Sequence, residues 1–141
     1  MGKRKYHTTV WVIEDEAHLR REILEVLQQA FKRHVLIRAV QSLQWALNMD
    51  GQPDLVIVDA SADPTPITLR HTSTLIRAFL QKYHEVRIGM VGFWATEVLK
   101  DLDLVFPEAK GRAESILGTR VSVGMVEFIQ KHIDKGTACT T

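Results

Sequence analysis

A chain of 141 residues with 45% hydrophobic and 25% charged side chains has the balance of one globular domain, not that of a disordered segment. Its formal net charge of +1 gives neither nucleic acid nor an anionic membrane an electrostatic handle. No apolar stretch has the length of a membrane span and no signal peptide is visible. The single Cys139 cannot form an internal disulfide, so a reducing, cytoplasmic setting is the default expectation.

In chain order, residues 1–7 with Lys3-Arg4-Lys5 read as a solvated basic tail. Val10-Trp11-Val12-Ile13 is an unbroken apolar run that stops at Glu14-Asp15-Glu16. Such a run predicts a strand covered on both faces, as in a parallel sheet under helices. Leu19, Ile23, Val26, Leu27, Ala30 and Phe31 recur at three- and four-residue steps and predict an amphipathic helix from about 16 to 33. Val35 to Val40 is a second strand, and Ser42 can cap a short helix carrying Leu43, Trp45, Ala46 and Leu47. Gly51-Gln52-Pro53 ends that helix, and Leu55-Val56-Ile57-Val58 makes a third strand closed by Asp59.

Pro64 and Pro66 argue against helix where they stand, so the next helix is expected to be capped by Ser73 and to bury Leu75, Ile76, Phe79 and Tyr83. Val86 to Val91 predicts a fourth strand ending at Gly92. Residues 95–101 can form a short helix, and Leu102 to Phe106 a fifth strand stopped by Pro107. Residues 108–120, with Gly111 and Gly118, fit a loop or a weak helix, and Val121 to Ile133 a last helix. A rival parse makes residues 107–117 the fourth helix and Thr119 to Val126 the fifth strand. Either way strands and helices alternate, which predicts an α/β domain over residues 8–135 with a C-terminal tail from 136 to 141.

If the first and third strands are parallel neighbours, Glu14, Asp15 and Asp59 meet at one carboxyl edge, where open α/β sheets place their ligand sites. Carboxylates gathered there repel one another unless a cation intervenes, and hard divalent ions such as Mg²⁺ favour oxygen donors of this kind. A carboxylate beside such an ion can act as a nucleophile toward phosphorus. The plain alternative is that Glu14 and Asp15 start a helix while Asp59 merely ends a strand.

The motifs Val12-Ile13-Glu14-Asp15-Glu16 and Pro53-Asp54-Leu55-Val56-Ile57-Val58-Asp59, at their interval and with helix, strand and helix between them, resemble the response-regulator receiver domain of two-component signalling. The resemblance covers residues 8 to 91 well and the remainder poorly. It implies a flavodoxin-like fold, a five-stranded parallel sheet with helices on both faces. It makes Asp59 the phosphoacceptor, Asp15 a direct Mg²⁺ ligand, Glu14 the companion acid and the Ser61 backbone carbonyl a further ligand. The implied partners are a histidine kinase or phosphotransfer protein and a downstream protein target, with homodimerisation compatible. Catalysis beyond slow self-phosphorylation and dephosphorylation at Asp59 is not expected.

The family pattern breaks at two places. Gly92 stands where receivers carry a Thr or Ser hydroxyl, and Phe106 stands at the usual Lys position if the strand ends at Pro107; Lys110 is the cation left to substitute. The loop Ala60-Ser61-Ala62-Asp63-Pro64-Thr65-Pro66 is also richer in proline than the family's. Losing the hydroxyl and the ammonium removes groups that orient and neutralise phosphoryl oxygens, so an atypical receiver is expected. A pseudo-receiver that binds a partner without phosphorylation is the alternative, and a metal-dependent phosphatase a further one, although Asp59 and Asp63 are spaced too far apart for paired catalytic aspartates. The six histidines show no metal-ligand spacing, His18 alone lying near the acids. Trp11 is expected inside the sheet, whereas Phe93 and Trp94 fit either an exposed partner-binding surface or a covered loop.

Overall fold

The computed structural model describes residues 8–32, 34–60, 65–116 and 121–137. Five strands, β1 (Thr8–Ile13), β2 (Val35–Val40), β3 (Leu55–Asp59), β4 (Arg87–Val91) and β5 (Ala113–Ser115), form one sheet in the order β2-β1-β3-β4-β5. Every neighbouring pair is parallel. This is the flavodoxin-like order, with a topological switch between β1 and β3. Five helices connect and cover the strands: α1 (Ala17–Phe31), α2 (Leu43–Leu47), α3 (Pro66–Lys82), α4 (Ala95–Val105) and α5 (Val121–Thr137).

Strand alternation sorts the apolar runs into two cores. Val10, Val12, Leu55, Ile57 and Val91 pack with Ile23, Leu27 and Phe31 of α1 and Met125, Phe128 and Ile129 of α5. Trp11, Ile13, Val56, Val58, Ile88 and Met90 face the opposite layer, with Ile76 and Phe79 of α3 and Val98 and Leu102 of α4. Trp11 lies inside the sheet as expected, edge-on to Phe79 and Tyr83 at ring separations of 6.1 Å each. Gly89 lets α5 approach β4: a Cβ there would lie 2.6 Å from Ile116 Cδ1 and 2.9 Å from Phe128 Cζ. Gly89→Ala is therefore expected to destabilise the domain by about 1–2 kcal/mol through overpacking, read as a lowered melting temperature.

Three expectations about the second half are corrected. Helix α3 begins at Pro66, not after Ser73: Thr65 caps it reciprocally with Thr68, and proline at the first helical position lacks only an N–H that would have no intrahelical partner. Ser73 is buried within the helix, donating its hydroxyl to the Leu69 carbonyl. Leu102 to Phe106 is not a strand, because α4 continues to Val105 and Phe106 caps it. The buried residue completing its apolar face is an acid, Asp101, held by two hydrogen bonds from Arg70 at 2.9 and 3.0 Å. That pair keeps the Asp101 carboxyl below the usual range, the hydrogen bonds from Arg70 being the largest cause.

The fifth strand is the three-residue Ala113–Ser115, reached through a 3-10 turn at Pro107–Ala109, so neither parse of this region holds. The last helix is found where expected and runs to Thr137. Arg112 secures the approach to β5 by donating to the carbonyls of Leu80 and Tyr83 at the end of α3 and of Val86 before β4. Among the described residues no helix is long and apolar enough to cross a membrane.

Candidate functional site

Strand pairing dictates which acids meet. Ile13 lies opposite Val58, so the next residues along the two parallel strands, Glu14 and Asp59, stand side by side at the carboxyl edge. Glu14 prolongs β1 by donating its N–H to the Val40 carbonyl at 2.9 Å, and its side chain is only 3% exposed. Asp15 is exposed next to it. Glu16 caps α1, its Oε1 accepting from the N–H groups of His18 (2.7 Å) and Leu19 (3.1 Å). The loop is tied back on itself, since the Glu16 N–H donates to Glu14 Oε2 at 3.1 Å.

Electrostatics make this edge expensive to hold as three anions. The Glu14 carboxyl is pushed up to about 7, first by burial, then by a hydrogen bond with Asp59, with the charge of Asp59 and a contact with Asp15 adding to it. The Glu16 N–H works against the shift. Near neutral pH Glu14 therefore carries a proton part of the time. Among the described residues no three His, Cys, Asp or Glu side chains form a ready-made metal-binding group. The donor set nevertheless suits a hard divalent cation: oxygen ligands only, with one buried carboxyl whose proton a cation could displace.

The remaining predicted positions fall as follows. Ser61 and Asp63 lie outside the described residues. Gly92 follows β4 at the same edge, one residue past the Val91 partner of Asp59, with φ +110°. The β4–α4 turn that it begins is clipped to the end of β3: the Ala60 N–H donates to the Val91 carbonyl at 2.7 Å, and the Trp94 N–H to the Ala60 carbonyl at 2.9 Å. The missing hydroxyl is thus accompanied by a backbone that a β-branched residue rarely adopts. Gly92→Thr is expected to lower stability by about 1–3 kcal/mol instead of restoring a receiver switch; a threonine variant that melts like the wild type would refute this.

Phe106 does not end the fifth strand. It caps α4, with the Arg77 guanidinium 5.7 Å from its ring centre. Lys110 precedes β5 and so belongs to the amino edge of the sheet, remote from the acids, because β5 runs parallel to β4 with Ala113 opposite Ile88 and Ser115 opposite Met90. No Lys or Arg stands among the described residues of the loops that follow the five strands. His18 pairs with Glu22 on the helix surface at 2.7 Å. Phe93 is 82% exposed, its ring edge-on to the half-buried Trp94 at 5.2 Å. The residue that pattern reading missed is Arg20, which reaches back to the acidic loop and donates from Nη1 to the carbonyl oxygens of Glu14 (2.8 Å) and Asp15 (3.4 Å). Its place in the first turn of α1, just after the acids, was the available signal.

No protein-family model matches this chain, and no curated protein does. Solved structures do match it. A LuxR family DNA-binding response regulator from Silicibacter pomeroyi superposes with a TM-score of 0.64 at 14% identity, covering 91% of this chain and 92% of that one. Chemotaxis protein CheY4 of Vibrio cholerae gives 0.64 at 15% identity over 89% and 98%. Response regulator protein TrrA of Thermotoga maritima, in complex with Mg²⁺-BeF, gives 0.58 at 19% over 88% and 97%. The chain has the receiver fold of response regulators.

Proposed function

We propose that this chain is an atypical receiver domain that accepts a phosphoryl group on Asp59 from the phosphohistidine of a histidine kinase or phosphotransfer protein and signals through protein–protein contacts. The observation that carries the reading is the shared hydrogen bond between Glu14 and Asp59, from adjacent parallel strands, with Glu14 buried and raised to about 7. In this reading Asp15, Glu14 and Asp59, with the backbone carbonyl of Ser61, hold Mg²⁺, which when bound would offset the negative charge of the phosphoryl oxygens. An Asp59 carboxylate oxygen attacks phosphorus, the phosphorus–nitrogen bond of the donor breaks, and its electron pair returns to the imidazole, which takes up a proton. The carboxyl edge leaves Asp59 half-exposed, so a donor side chain can approach it. The Mg²⁺-BeF in the TrrA complex is consistent with such a site.

A second reading has its own observation in favour. Gly92 at the switch position, and the lack of Lys or Arg in the described loops of this edge, fit a pseudo-receiver that binds its partner without phosphorylation. Incubation with a small acyl phosphate and Mg²⁺ separates the two. The phosphoacceptor reading expects intact mass to rise by one phosphoryl group in an alkali-labile linkage; an unchanged mass would favour the pseudo-receiver.

A further inference from the structure

We propose that Arg20 is a positioning residue for the acidic edge: its guanidinium fixes the β1–α1 loop so that Glu14 and Asp15 present their carboxylates together. The inference rests on the phosphoacceptor reading and assigns a role to a side chain that the reading does not use. Three observations carry it. Nη1 of Arg20 bridges two successive carbonyls, those of Glu14 and Asp15, the residues whose side chains would share the cation. Arg20 is half-buried, unlike its exposed neighbour Arg21, and its helix is locked in place by the Glu16 cap one turn earlier. Finally, it brings a permanent positive charge from α1 to an edge whose described loops hold no Lys or Arg.

The geometry limits what Arg20 does. Its contacts are with backbone oxygen, so it does not occupy the carboxylates of Glu14 and Asp15, which remain the groups that would meet a cation. A guanidinium presents donors in a rigid fork, whereas lysine offers one ammonium on a flexible stem. Removing these two Nη1 contacts frees the loop torsions that aim both acids, and lost outer-shell support of this kind typically weakens metal binding about ten- to a hundredfold. Simple charge removal predicts the opposite, since deleting a nearby cation should strengthen Mg²⁺ binding.

The test compares wild type, Arg20→Gln, Arg20→Lys and the charge control Arg21→Gln, each checked for a cooperative melt. Titration with Mg²⁺ alone, followed by NMR of the Glu14–Glu16 amides, is expected to show Arg20→Gln weakened about tenfold or more. Arg20→Lys should be partly restored and Arg21→Gln unchanged. In metal-free protein, exchange of the Glu16 amide, which donates to Glu14, should accelerate most in Arg20→Gln, less in Arg20→Lys and not in Arg21→Gln. Wild-type affinity in a folded Arg20→Gln, or tighter binding, overturns the proposal; if Arg20→Gln does not fold, full wild-type affinity and exchange in Arg20→Lys overturns it instead. A wild-type protein that binds no Mg²⁺ removes the phosphoacceptor reading, and amide exchange then decides whether Arg20 fixes the loop.

Discussion

Asp59→Asn is expected to abolish the phosphoryl adduct completely while leaving the domain folded. The amide keeps the size and planarity of the carboxylate, and Asp59 stands at the half-exposed end of β3, so little packing is lost. What is lost is the nucleophile: a neutral amide oxygen cannot form an acyl phosphate of useful lifetime. The substitution also removes the negative charge that helps raise Glu14, so the Glu14 carboxyl should fall toward its ordinary value in this variant. The two readouts are independent. An adduct that persists in Asp59→Asn places the phosphoryl group on another side chain and ends the phosphoacceptor reading. Unaltered partner binding in the variant, together with no adduct in wild type, favours the pseudo-receiver.

How much of this was legible in the sequence follows from where the information resides. The runs Val10–Ile13 and Leu55–Val58 announce themselves because both faces of β1 and β3 are covered, so nearly every position must be apolar. Their acidic tips followed directly, and strand pairing brings Glu14 to Asp59 as expected. Strand β5 carries no such signal. Ala-Glu-Ser at a sheet edge is half-buried throughout and has only one strand neighbour, so no apolar run marks it. The alternation of Leu102, Leu104 and Phe106 imitated a strand because the helical period of α4 is completed by Asp101, an acid buried against Arg70, a residue distant in sequence. The Phe106 and Lys110 assignments depended on that strand and changed with it.

The site was half legible for a related reason. Carboxylates at strand ends are visible in a sequence, but the contacts that tie their loops are made to backbone. Arg20 binds carbonyls, which carry no sequence identity, and the Ala60 clip to Val91 and Trp94 is made entirely of peptide groups. Gly92 could be read as a missing hydroxyl, but not as a residue at positive φ. The departure from the family pattern is therefore larger than one side chain.

The stability of the metal-free protein is expected to fall as pH rises from about 5 to about 8, and Glu14→Gln is expected to remove that fall. Glu14 has a folded-state pKa of about 7, above its unfolded value of 4.5. The folded protein thus binds more protons than the unfolded chain between these two values. No cost is present below the unfolded value; it accumulates as pH rises and is complete above the folded value. A shift of this size bounds the effect at about 3 kcal/mol. His132 pulls the other way: burial holds it below its usual value, so its contribution improves as pH rises toward the ordinary imidazole range. Comparing wild type with Glu14→Gln cancels His132 and isolates the acid pair. Saturating Mg²⁺ should flatten the wild-type curve, because a bound cation favours the charged carboxylate that burial penalises. Melting temperatures across this range, with and without Mg²⁺, test each step. Parallel wild-type and Glu14→Gln curves in metal-free buffer would mean that Glu14 is not raised by burial and by its contact with Asp59, and the observation that carries the phosphoacceptor reading would fail.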